Sequence, residues 1–385
     1  MKKCKLMSKI HITLVGGQPA PVYNGIKATN PDKVVFVHSI DSLKALNALI
    51  KEINVPYESV QLSPTEAVEI QKVVKKLAEQ YAKDEVVVNI SSGPKSWSHL
   101  FGVMFQSKEN ATIVYMDQNN VLWNYRTMQG LQEFEFDMHT HFRLYGNSIE
   151  NNYKKFSDYT DADVEAMKKI EEIRNFAVQT FNALLTVLDK QKQHILKNCK
   201  YGKFEHISGS YVEWEKTTEQ QDGFVRVFLI KKNGKSKEVK LESTNAVDLA
   251  FNSGWFEFKV AKYLSTWSRS KEICMNCKFP YKKDVDKNEA DIVVNTGSKV
   301  LFVECKTQIN NITDIDKFRS VIKNYGGMGS KGMFVTDAKM TDIAKAKCEE
   351  HGILSFSLQD SHLGLTEEKA LQFLLESELF NINTK

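Results

Sequence analysis

Between about residues 9 and 127, short β-branched runs alternate with amphipathic stretches of helical period, and this rhythm leaves few folds open. Strands are expected at Ile10–Val15, Lys33–His38, Glu58–Leu62, Glu85–Ile90 and Thr112–Asp117, and helices at about 41–53, 64–82 and 95–107. That order predicts a mainly parallel, doubly wound α/β sheet. Ligands of such sheets bind beyond the carboxyl ends of the strands. Two loops stand there: Gly16-Gly17-Gln18-Pro19-Ala20-Pro21, and Ser91-Ser92-Gly93-Pro94-Lys95-Ser96 following Asn89-Ile90. Neither is G-x-G-x-x-G nor a Walker A loop, which excludes the dinucleotide and P-loop readings. Hydroxyls, small residues and a Lys ahead of a helix suit a phosphate or nucleotide ligand. An ordinary turn capped by Ser has the same composition, and both readings stay open for the second loop.

A chain of 385 residues accommodates more than one domain. The expected division is a doubly wound core over 1–127, a connecting module over 128–243 and a second domain over 244–385. In the connecting module, 131–149 has the pattern of further strands ending at Gly146-Asn147-Ser148. Helix follows over about 157–199, then strands at about 209–216 and 224–231 before the turn Lys232-Asn233-Gly234-Lys235. The net charge of +4 neither demands nor excludes nucleic acid, so any binding surface must be local. Six scattered cysteines without a secretory leader suggest reduced thiols and a cytoplasmic protein. No run approaches the length needed to span a bilayer, so no membrane partner is expected.

From Asn245 the pattern restarts with a helix over Ala246–Ser265, a strand near 278–283 and a hairpin. Its arms are Ala290–Asn295 and Lys299–Lys306, joined at Thr296-Gly297-Ser298. A helix at 312–325, a strand at 331–336, a helix at 341–351, a strand at 353–358 and a helix at 366–377 complete a mixed α/β core. If the arms pair, Asp291 comes close to Glu304, and strand alternation puts Glu304 and Lys306 on one face. Two carboxylates and an ammonium then converge where oxygen ligands suit Mg²⁺ or Mn²⁺ and a Lys can orient water. With Gly254-Trp255-Phe256-Glu257 on the preceding helix and Gln308 beyond Lys306, the order resembles the PD-(D/E)xK nuclease superfamily of restriction-endonuclease-like domains. The resemblance implies that Asp291, Glu304, Glu257 and the Cys305 carbonyl hold the metal ion and that Lys306 positions the attacking water. Cys274 and Cys277 supply two thiols where a structural zinc site needs four ligands. They are expected to be packed thiols, with Cys348 and His351 as candidates to complete a set. The basic segments Lys231–Lys237 and Lys282–Lys287 are candidate phosphate contacts.

The N-terminal part is similar to the CARF domains of CRISPR-associated proteins, which are Rossmann-like sensors. The residues that carry this are the Gly16–Pro21 loop and Asn89-Ile90-Ser91-Ser92-Gly93-Pro94-Lys95, where Pro94 replaces the usual hydroxyl residue. The whole chain resembles CRISPR ancillary nucleases that join CARF to PD-(D/E)xK. The resemblance implies a homodimer whose sensor domains share a pocket for a cyclic oligoadenylate, most often cyclic tetra-adenylate. Gly17, Gln18, Pro19, Ser91, Ser92, Gly93 and Lys95 would contact that ligand. It implies an allosterically activated, metal-dependent endonuclease acting on DNA and/or RNA, with an open strand the expected substrate. Two alternatives are a regulator that binds nucleic acid without cutting it, and a ring nuclease that degrades its own activator.

Overall fold

The computed structural model describes residues 7–117, 121–133, 137–221, 223–279, 288–297, 299–309, 311–327, 330–362 and 364–380. The first sheet is built from β1 (Lys9–Val15), β2 (Lys33–His38), β3 (Tyr57–Gln61), β4 (Glu85–Asn89), β5 (Ala111–Met116), β6 (Val121–Asn124) and β7 (Gln129–Glu133). Its order is β3-β2-β1-β4-β5-β6-β7, parallel as far as β5 and antiparallel beyond. Ile12, Leu14, Val35, Val37, Val86 and Val88 are buried on one face and Val15, Val34 and Phe36 on the other, which is why these strands are continuous apolar runs. The helices are α1 (Pro19–Thr29), α2 (Leu43–Glu52), α3 (Ala67–Gln80) and α4 (Lys95–Gln106). Because β1 pairs with β4, with Thr13 opposite Asn89, the two ligand-suited loops emerge side by side. This is the point at which the strand order reverses, where doubly wound sheets open a crevice.

The connecting region departs from the expected pattern at its start. Residues 138–144 form helix α5 (Met138–Leu144), not a strand. Asp137 caps it, accepting from the Thr140 N–H at 2.8 Å. Then come β8 (Lys154–Lys155), α6 (Asp161–Phe176), α7 (Val178–Leu185) and α8 (Lys190–Asn198). A four-stranded antiparallel sheet follows: β9 (Tyr201–Glu205), β10 (Tyr211–Glu215), β11 (Phe224–Ile230) and β12 (Ser236–Glu242). Its inner face, with Val212, Trp214, Val225, Val227 and Leu241, shares one core with α6, α7 and the C-terminal domain.

The C-terminal elements are α9 (Ala246–Ala250), α10 (Gly254–Ser265), β13 (Glu272–Phe279), β14 (Asn288–Asn295), β15 (Val300–Lys306), α11 (Thr313–Val321), β16 (Ser330–Thr336), α12 (Asp342–Glu350), β17 (Leu354–Ser357) and α13 (Glu367–Phe380). A π-helical turn, Ile322–Gly326, continues α11. The sheet order is β17-β16-β15-β14-β13-β8, so the connecting region contributes its edge strand. The expected single helix over 246–265 is two. Asn252 (φ 52°) and Ser253 (φ 69°) break it, and a side chain at Gly254 would collide with the Asp248 carbonyl. The strand expected near 278–283 begins earlier, at Glu272, and 280–287 lie outside the described residues.

Candidate active site and sensor pocket

Strands β14 and β15 pair antiparallel with Ile292 opposite Val303, which sets Asp291 against the Glu304 end of its partner. The Asp291 Oδ2 accepts the Cys305 N–H at 2.7 Å, so a carboxylate and a strand backbone are locked together. Lys306 Nζ lies 2.6 Å from Glu304 Oε1 and 3.9 Å from Asp291 Oδ2. Helix α10 buries Trp255, Phe256, Phe258, Val260 and Ala261, which fixes its rotation and turns Glu257 toward the same carboxylates. The sequence-predicted residues Asp291, Glu304, Lys306 and Glu257 are therefore gathered in one place. The Cys305 side chain faces away into the core, and burial pushes its thiol pKa up, so it is a packed residue rather than a nucleophile. Gln308 is exposed beyond the strand end.

The charges are crowded. Burial, and then the Asp291 carboxylate, raise Glu304 to about 7 and push Glu257 well above the usual carboxylate range. Burial also raises Asp291, with Lys306 and the Cys305 N–H pulling against it. Burial works against the Lys306 charge, yet Asp291 and Glu304 outweigh it and hold its pKa up. Among the described residues, no three acidic, His or Cys side chains are close enough to chelate an ion as they stand. The Lys306 ammonium contacts Glu304, lies 3.9 Å from Asp291 and offsets the charge of both. Buried hard-oxygen donors that repel one another are the chemistry a divalent cation relieves, and this donor set fits Mg²⁺ or Mn²⁺.

A cavity of about 670 Å³ opens onto Glu257 and Asp291. Glu289, which sequence reasoning missed, lines it too. The signal was available: Glu289 lies two residues before Asp291 on a strand and so shares its face. Cys274 and Cys277 both point into one apolar cluster, because Asn276 between them has φ 56° and resets the alternation. Cys348 packs in that cluster, but His351 Nε2 pairs with Asp316 Oδ1 at 2.7 Å, so the set is not completed. In the segment 231–237, Lys231 lies over the Phe176 ring and Lys237 pairs with Glu172, so α6 engages both. The segment Lys282–Lys287 lies outside the described residues.

The second cavity, also about 670 Å³, lies at the reversal point of the first sheet and is lined by Gly17, Gln18, Pro19, Ser91, Ser92 and Gly93. Helix α1 starts within the expected loop, at Pro19, where a fixed φ suits the first helical turn. The two loops touch: Gly16 N donates to Ser92 Oγ at 3.1 Å, and Gly93 adopts φ 83°. The Ser91 hydroxyl donates to Asn89 and accepts the Met116 N–H at 2.6 Å. Lys95 stands exposed at the start of α4, beside the cavity rather than in its wall. Lys44, Ser39, Asp41 and Ser42 come from the loop after β2 and helix α2, and Leu144 and Tyr145 from the end of α5. Sequence reasoning missed these walls. The first group was inferable once β2 is placed beside β1, whereas α5 arrives from a distant part of the chain.

Two family models match separate parts of the chain. A family model of the Card1 CARF domain matches residues 10–145, and one of the Card1-like endonuclease domain matches residues 244–369. Among solved structures the chain is similar to Can2 from Sulfobacillus thermosulfidooxidans in complex with cyclic tetra-adenylate, at 16% identity and a TM-score of 0.63 over 96% of this chain and 99% of that one. It is also similar to protein VC1899 from Vibrio cholerae, at 15% identity and a TM-score of 0.69 over 96% and 98% of the two chains. A type III CRISPR defence DNA nuclease activated by cyclic oligoadenylate aligns at 16% identity and a TM-score of 0.54, over 94% of this chain and 51% of that one. At these identities the likeness is one of fold. No curated protein matches the chain. No helix among the described residues is long and apolar enough to cross a membrane. With a doubly wound sensor domain ahead of a mixed α/β domain that carries clustered carboxylates and a lysine, the chain belongs to the Card1-like CARF-domain nucleases of CRISPR systems.

Proposed function

We propose that this chain is a metal-dependent endonuclease switched on by a cyclic oligoadenylate, with cyclic tetra-adenylate the expected ring. Its substrate is single-stranded DNA and/or RNA in type III CRISPR defence. The observation that carries the reading is Lys306 within reach of both Glu304 and Asp291, with Glu257 lining the same cavity as Asp291. Asp291, Glu304, Glu257 and the Cys305 carbonyl would hold Mg²⁺ or Mn²⁺. When bound, such an ion acts as a Lewis acid on phosphate oxygens and makes water a better nucleophile at neutral pH. The chain's own part is positioning and charge. Lys306 holds the attacking water in line with the scissile bond and offsets charge building on the phosphoryl oxygens. Cutting leaves a 5′-phosphate and a 3′-hydroxyl. The sensor cavity supports an anionic ligand through Lys44 and the clustered loops, with Lys95 beside it. A homodimer joining two such cavities suits a two-fold symmetric ring.

Glu304→Ala and Lys306→Ala should each abolish cutting of a labelled oligonucleotide in Mn²⁺ while leaving binding of the cyclic ligand intact. Retained cutting in both removes the site assignment. Chelation should stop the wild-type reaction. Measurable cutting also separates this reading from a non-cutting regulator. The ring-nuclease alternative is weakened by the Ser91 hydroxyl, whose hydrogen bonds go to the ends of β4 and β5. Incubating labelled ring with the Glu304→Ala protein tests it directly.

A further inference from the structure

Residues 146–243 lie between the two family matches, yet they build a wall of the cavity at the carboxylates. Glu257, Glu289 and Asp291 line one side, and Leu196, Lys197 and Lys216 line another. Helix α8 carries Lys190, Lys192 and Lys197 and no acidic residue after its Asp189 cap. Its position is fixed at both ends. Ahead of it, Asn252 Oδ1 accepts the Val187 N–H at 2.9 Å, and Asn252 N donates to the Leu185 carbonyl at 2.9 Å. This ties the approach to α8 to the break between α9 and α10, one turn from Glu257. At the other end, Lys216 Nζ donates to the Lys197 carbonyl at 2.7 Å and closes the last turn.

The four lysines of this cavity are not equivalent. Lys154 is spent on Asp248 and Asn245, Lys216 on the helix carbonyl, and Lys278 lies 4.0 Å from Glu289. The Lys197 ammonium forms no ion pair among the described residues, although it borders a cavity with four carboxylates. A solvated cation held on a capped helix, across a cavity from an acidic centre, suits a polyanion that spans both. Its reacting phosphate would lie at the carboxylates and a neighbouring phosphate at Lys197. The adjoining Leu196, Phe251 and Tyr159 give sugar and base edges an apolar surface.

We infer that α8 is a backbone clamp for the substrate strand, with Lys197 binding a phosphate next to the one cut. This rests on the nuclease reading of the Asp291–Glu304–Lys306 centre. The clamp recognises phosphodiester backbone rather than base sequence, so it serves DNA and RNA alike. Its test uses the full chain with cyclic ligand bound. Affinity for a fluorescent single-stranded oligonucleotide is measured in the Glu304→Gln background, and kcat and KM in the otherwise native protein. Lys197→Ala should weaken binding several-fold and raise KM far more than it lowers kcat, and Lys197→Glu should do so by about tenfold or more. Losing one phosphate contact on a single strand should lower the slope of log affinity against log salt by about 0.7. Lys197→Arg should restore most of the affinity, and Lys190→Ala, on the same helix but outside the cavity wall, should change neither constant. Unchanged affinity, KM and salt slope in Lys197→Glu, in a protein that still cuts, overturn the clamp alone. A wild-type chain that neither binds nor cuts any oligonucleotide overturns the clamp and the nuclease reading together.

Discussion

His11 sits in the middle of β1 with no exposed surface, its Nδ1 held 2.8 Å from Thr29 Oγ1. Burial, aided by the Lys9 charge, holds its pKa down to about 3, and burial holds His141 on α5 down to about 4. An unfolded histidine titrates near 6.5, so below that pH the unfolded chain binds more protons than the folded one. Stability therefore falls as pH drops from 6.5 toward these depressed values. Between pH 7 and pH 5 each residue costs at most about 2 kcal/mol. The wild-type Tm should fall over that interval, and His11→Gln should make the fall shallower. Equal slopes for the two proteins would show that His11 is not a source of acid sensitivity. The candidate catalytic residues are of a different kind. Asp291, Glu304 and Lys306 were legible in sequence because period-two alternation assigns strand residues to faces without any tertiary knowledge. Glu289 obeys the same rule and was available by it. Lys44 and Tyr145 were not, because loop and helix ends meet at the sensor cavity only after the sheet order is known.

At the scale of elements, α6 holds the mixed sheet and α10 in register. Arg174 Nη2 lies 2.7 Å from Asp337 Oδ2, with both side chains about 15% exposed, and its guanidinium stacks 5.0 Å from the Trp255 ring centroid. Asp337 N donates to the Lys306 carbonyl at 3.2 Å, so this pair bears on the end of β15 and, through Trp255, on the helix that carries Glu257. Arg174→Ala leaves a largely buried carboxylate unpaired and should cost about 3 kcal/mol. Asp337→Ala on top of it should return part of that loss. A double-mutant cycle on Tm or denaturant midpoints measures the coupling, and additive losses would mean that the pair contributes nothing. No pattern in α6 announced this contact, since an amphipathic helix rich in Lys and Glu reveals its apolar stripe but not its partner. The βα rhythm of the first sheet and the hairpin of the second were legible because each depends on local period alone. Helix α1 was hidden by a Gly- and Pro-rich start, and α5 by alternating apolar residues that resemble a strand.

At the scale of the whole molecule, the sensor cavity and the mixed sheet meet at one place. Tyr145 lines the cavity, and its ring lies against Gly327, where an added Cβ would collide with it. Gly327 has φ 66° and ψ −171°, a conformation that side chains resist. His141 Nε2 hydrogen-bonds the Gly326 carbonyl at 3.1 Å, and Asn147 Nδ2 donates to the Asn324 carbonyl at 2.9 Å. Both grip the π-helical turn, and single π-turns inside helices are frequent at functional sites. Gly326 packs against the Phe302 ring on β15, two residues before Glu304 and four before Lys306. A ligand displaces an equilibrium only through contacts that differ between its two states. Tyr145 offers such a contact, since any shift of its ring to accommodate a cyclic ligand changes the space at Gly327. Tyr145→Ala removes that link while leaving the carboxylates and Lys306 in place. At saturating cyclic ligand, its cutting rate should fall by at least about tenfold, corresponding to a coupling of about 1.4 kcal/mol. Its affinity for the oligonucleotide, proposed to bind at the other cavity, should stay as in the wild type. Full stimulation by ligand in Tyr145→Ala, measured as the ratio of rates with and without the ring, would move the coupling route away from α5 and toward the connecting sheet or a subunit interface.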